Sequence, residues 1–99
     1  MNRAGFRARW KRFESKVAEQ LGGKRIPITG RESVDVQHEV FAIECKYRES
    51  LPEWIHEAHR QASEGAKDGQ IPIVCLGEKG GKDYVLVSLK DFSEWYGRG

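Results

Sequence analysis

The sequence predicts a mixed α/β domain with a mixed sheet, its elements running α-β-β-β-α-β-β-α over residues 1–99. Three observations predict it. Trp10, Phe13, Val17 and Leu21 recur at the spacing of one helix face. Residues 41–48, F-A-I-E-C-K-Y-R, alternate as a strand does. Phe41, Ile43, Cys45 and Tyr47 point one way, and Ala42, Glu44 and Lys46 the other. Residues 71–76, I-P-I-V-C-L, follow a helical stretch, as a strand reached by a crossover would.

Taken in order, the first helix is expected over residues 8–21, closed by Gly22-Gly23 in the left-handed geometry that ends many helices. Glu14 sits beside Phe13, at the edge of the apolar stripe. Residues 24–29 read as a short strand, placed at an edge or an end by Pro27. Thr29-Gly30-Arg31-Glu32-Ser33 is a turn. Val34-Asp35-Val36 opens the next strand, with Asp35 facing away from the valines, and Gln37-His38-Glu39 connects it to residues 41–48. Residues 24–48 thus form a three-stranded antiparallel meander. Ser50 and Glu53 form a capping box for a helix reaching about Ala66. The uniformly apolar 71–76 run is expected to be covered on both faces and to lie parallel to 41–48. A glycine-rich hairpin at 77–83 leads to a last strand at 84–87, and Ser88 with Asp91 caps a helix through Trp95.

A chain of 99 residues buries only about 60–65% of its unfolded surface, so self-association would help it. No apolar run reaches the ~20 residues that span a bilayer. The basic opening lacks an apolar h-region and a small-residue cleavage site, so no secretory signal is expected. Cys45 and Cys75 lie in apolar runs and read as buried, reduced thiols of a cytoplasmic protein, with a bridge between neighbouring strands as the alternative. The net charge of +2 is uneven. Arg3, Arg7, Arg9, Lys11, Arg12 and Lys16 stand against Glu14 alone in residues 1–16, so the remainder is mildly acidic. A basic N-terminal arm at 1–9 on an acidic body suits a polyanion, most simply nucleic acid; a solubilising terminus is the plain alternative.

Two acid-x-lysine triplets occur, at 14–16 and 44–46. On a helix, residues two apart diverge by roughly 200°, so Glu14 and Lys16 do not act together. On a strand, Glu44 and Lys46 share a face. The short connection brings Asp35 across from Glu44 on that face. Two carboxylates so close repel unless a cation lies between them, and hard oxygen ligands suit Mg²⁺ or Mn²⁺. The Cys45 carbonyl offers a further oxygen. Lys46 would stand beside the ion, to steer the attacking water or stabilise charge at phosphorus. Glu14 can reach the same place, through a water or a second ion, if the first helix packs beside the meander. The plain alternative for Glu44 and Lys46 is a surface ion pair worth about 0–1 kcal/mol.

The set Asp35, Glu44-Cys45-Lys46 and Glu14 on the preceding helix resembles the PD-(D/E)xK nuclease superfamily, over residues 13–76. Within it the chain looks most like the small archaeal-type Holliday junction resolvases and similar phage nucleases. The resemblance implies a restriction-endonuclease-like αβββαβ core, here with an added C-terminal strand and helix. It implies Mg²⁺-dependent hydrolysis of DNA phosphodiesters, leaving a 5′-phosphate, by a homodimer acting on branched DNA. It also nominates Gln61, on the helix after the motif strand, as catalytic. Two departures are visible: Val34 precedes Asp35 where the superfamily often has proline, and Gly65 stands where the exonuclease form of the helix motif has tyrosine.

Arg7, Arg9, Lys11 and Arg12 would ring the site and, with Arg31, contact phosphates without reading sequence. His56 and His59 lack a third ligand at set spacing and read as surface residues, and His38 is expected to face solvent. Trp10, Trp54 and Trp95 read as core or interface. The competing function is a non-catalytic DNA-binding or assembly subunit that keeps the fold; a nuclease of the same chemistry on nicked, flapped or linear DNA is a third.

Overall fold

The computed structural model describes residues 3–26 and 35–98. The chain divides into two compact units, Met1–Arg48 and Glu49–Gly99. The described residues form helices and small two-stranded antiparallel sheets, a mixed α and β architecture.

In the first unit, α1 spans Arg3–Leu21. It starts at Arg3 rather than Ala8, so the basic residues expected as an arm ride on the helix. Val17, Ala18 and Leu21 are buried, as is Glu14. Gly22 adopts φ 76°, and the Gly23 N–H donates to the Ala18 carbonyl at 2.8 Å, which closes the helix with the expected left-handed turn. A side chain at Gly23 would stand 2.6 Å from the Gln37 carbonyl, so the close passage of the next strand requires glycine there.

Strand β1, Lys24–Arg25, pairs antiparallel with β2, Val36–Gln37, with Lys24 opposite Gln37 and Arg25 opposite Val36. Both strands are shorter than the sequence predicts. The expected turn, with Arg31, lies outside the described residues. Val36, fully buried, bridges antiparallel to Ile43, which preserves the meander order. The 41–48 segment is not a continuous strand, because this bridge is its one ladder contact among the described residues. Its alternation nevertheless holds: Ile43 and Cys45 are buried, Phe41 and Tyr47 half-buried, and Ala42, Glu44 and Lys46 exposed. The Tyr47 ring packs against Phe13 and Phe6 at centroid distances of 5.5 and 5.8 Å, tying the segment to α1.

His38 does not face solvent as expected. Its Nδ1 accepts from the Val40 and Phe41 amides at 3.0 and 3.3 Å. The ring proton therefore sits on Nε2, which donates to the Leu21 carbonyl at 2.7 Å and satisfies one of the open acceptors at the end of α1.

In the second unit, α2 spans Glu53–Gly65. The capping box is not made: the helix starts at Glu53 itself, Pro52 occupies the cap without a side-chain bond, and the Pro52 carbonyl accepts from Ile55 at 3.0 Å. Strand β3, Ile73–Leu76, pairs antiparallel with β4, Tyr84–Val87, Ile73 facing Val87 and Leu76 facing Tyr84. This is the hairpin that the sequence predicts at 77–83. Ile73 and Cys75 are exposed, so the strand is not covered on both faces and Cys75 is not buried. Helix α3 spans Leu89–Arg98, and Ser88 Oγ accepts from the Asp91 amide at 3.1 Å, the expected cap. Trp54 and Trp95 are each 57% exposed. Among the described residues no helix is long and apolar enough to cross a membrane.

Candidate functional site

The site is built on the β2–Ile43 pairing of the first unit. The Asp35 amide donates to the Ile43 carbonyl at 2.9 Å, and the Asp35 carbonyl accepts from Ile26 at 3.0 Å. The Val36 amide donates to the same Ile43 carbonyl at 3.4 Å, so Asp35 and Val36 face Ile43 together, the pattern of a β-bulge. Glu44 and Lys46 lie two residues apart on the exposed side of the 41–48 segment.

Each side chain has a definite partner. Asp35 is half-buried, and its Oδ2 accepts from the Cys45 amide at 2.6 Å, a charge-assisted bond that fixes the carboxylate against the 44–46 backbone. Glu44 Oε1 pairs with Lys46 Nζ at 3.3 Å, with the two side chains 53% and 71% exposed. That exposed pair is the surface ion pair the sequence offered as an alternative, and it leaves the lysine mobile enough to change partners. Both groups stand open to a ligand.

Cys45 records the field of the site. Its thiol is pushed up to about 11, first by burial and then by the charges of Asp35, Glu14 and Glu44. The acids around it bring carboxylate and carbonyl oxygens into a negative field, the chemistry that suits a hard divalent cation. Among the described residues no ready-made group of three His, Cys, Asp or Glu side chains is gathered for a metal.

Glu14 has a different partner. It is 3% exposed, and its Oε1 accepts from Arg25 Nε at 2.9 Å. Arg25 lies opposite Val36. Arg25 is the residue that sequence reasoning missed. Its signal was a cation two residues past the helix-ending glycines, beside a helix that carries an acid in its apolar stripe. Arg7, Trp10, Lys11, Glu14 and Arg25 together line a cavity of about 340 Å³. Of the four α1 cations expected near the site, Arg7 and Lys11 line this cavity. Arg9 diverges from Arg7 by roughly 200° around the helix, and Arg12 by about 140°. Gln61 lies on α2 in the second unit, exposed, as is His56, while His59 is half-buried.

No family model, no curated protein and no solved structure matches the chain.

Proposed function

We propose that the chain is a metal-dependent endodeoxyribonuclease of the PD-(D/E)xK kind, acting on branched DNA such as a Holliday junction. The finer fold reading, a restriction-endonuclease-like core, belongs to the same proposal. The observation that supports it is the bond from the Cys45 amide to Asp35 Oδ2 at 2.6 Å, which holds one carboxylate against the 44–46 backbone that carries Glu44 and Lys46.

Asp35, Glu44 and the Cys45 carbonyl would hold Mg²⁺ or Mn²⁺, which would supply Lewis acidity and relieve the repulsion of the two acids. Glu14, buried against Arg25, adds to the negative field there. Lys46, released from Glu44, would orient the attacking water and donate to a phosphate oxygen. Water adds to phosphorus, the bond to the leaving 3′ oxygen breaks, and the products are a 5′-phosphate and a 3′-hydroxyl. Arg7, Arg9, Lys11 and Arg12 would contact the backbone without reading bases. A homodimer, with one site per chain, would cut two strands.

One observation favours a second reading. Glu44 and Lys46 neutralise each other, and so do Glu14 and Arg25, which suits a DNA-binding subunit without catalysis. Gel assays on a four-way junction and a matched linear duplex, with and without Mg²⁺, separate the two. The nuclease cuts only with the cation and prefers the junction. Lys46→Ala binds DNA and does not cut. Binding that no cation converts to cleavage would select the second reading.

A further inference from the structure

The cavity on α1 is lined mainly by basic residues, unlike the acidic pair Asp35 and Glu44. Arg7, Trp10, Lys11 and Glu14 follow i, i+3, i+4, i+7 spacing and so share one face of the helix. Arg25 closes the cavity from β1. We infer that this cavity takes the terminal phosphate monoester of a nucleic-acid strand. The inference rests on the DNA-binding half of the proposed function and is independent of the hydrolytic half.

Charge is the first reason. Glu14 is neutralised by Arg25 through Nε alone, at 2.9 Å. The terminal nitrogens of that guanidinium make no hydrogen bond among the described residues. Arg7 and Lys11 are exposed and have no ion pair among the described residues. Three cations against one carboxylate leave an excess of two positive charges. A phosphate monoester carries about −1.5 to −2 at neutral pH, whereas an internal diester carries a single charge. The monoester balances the cavity.

Shape agrees. A volume of about 340 Å³ lies within the usual range of small-ligand pockets, about 300–1,000 Å³. A strand end can enter such a cavity, while an internal phosphate is flanked by neighbours that hold it at the surface. Trp10 supplies the aromatic part of the lining.

The test is fluorescence anisotropy with blunt duplexes of one sequence, carrying 5′-phosphates, 3′-phosphates or only hydroxyls, together with a circular duplex. Divalent cation is left out so that nothing is cut. A phosphorylated duplex should bind roughly tenfold or more tightly than the hydroxyl form, the size of one charge-assisted contact. Arg7→Ala and Lys11→Ala, both at exposed helix positions, should erase that preference, and Lys82→Ala, an exposed cation in the hairpin, should keep it. Equal affinity for phosphorylated and hydroxyl duplexes overturns the inference. So does a circle bound as tightly as the phosphorylated duplex, because internal diesters would then suffice. Either result leaves cleavage and its dependence on Lys46 untouched, so the two readings fail separately.

Discussion

Replacing Arg25 with alanine strands the Glu14 carboxylate. The Glu14 side chain is 4% exposed and that of Arg25 25%. Removing one partner of a fully buried ion pair costs about 3–5 kcal/mol, because the remaining charge is left desolvated and unpaired. Truncation at Arg25 opens a path for water, which moves the expectation to the low end, about 2–3 kcal/mol. Small domains are stable by only about 5–15 kcal/mol, so this is a large share. With urea m-values of about 1–3 kcal/mol/M, the unfolding midpoint should fall by roughly 0.7–3 M. Glu14→Gln added to Arg25→Ala removes the stranded charge and should recover most of the loss. The four proteins form a double-mutant cycle, read by urea unfolding, with a coupling of about 1.5–3 kcal/mol. Additive single and double variants, or Arg25→Ala within about 0.5 kcal/mol of the parent, would refute the reasoning.

Two further outcomes follow from the packing and the charges. Gly23→Ala places a carbon 2.6 Å from the Gln37 carbonyl and should cost about 1–3 kcal/mol in urea unfolding, whereas Gly65→Ala, with open space around it, should be neutral or stabilising by up to about 1 kcal/mol. In a thiol-reagent assay Cys75, exposed, should react readily at pH 8 and Cys45, buried, only after unfolding. Because burial and nearby acids raise the Cys45 thiol to about 11, the folded state keeps its proton after the unfolded chain has lost it. That contribution to stability should be intact below the ordinary thiol range, fade as pH rises toward 11, and disappear from the profile in Cys45→Ala.

Local patterns were legible in the sequence. The in–out alternation of 41–48 survives although the segment carries one bridge instead of a full ladder, because side-chain direction follows extended backbone with or without a partner strand. The short 37–39 connection returns the chain so that Val36 bridges antiparallel to Ile43, and Ser88 with Asp91 caps α3 as written. What failed depended on distant partners. A uniformly apolar strand has no period to say which face is covered, so Cys75 and Ile73 were placed inside. Ser50 lost its cap because the helix begins after Pro52. The Glu14–Arg25 pair spans a helix end and a turn, and the His38 bond to Leu21 crosses the same junction; no window of a few residues contains either.

The central claim is that Asp35 and Glu44 act as one cation site. Calorimetric titration of Mn²⁺ into the protein, its Asp35→Asn variant and its Glu44→Gln variant tests it most directly. The account predicts one binding event in the parent that either substitution weakens by about tenfold or more. Three superimposable isotherms, or no binding in the parent, would contradict it.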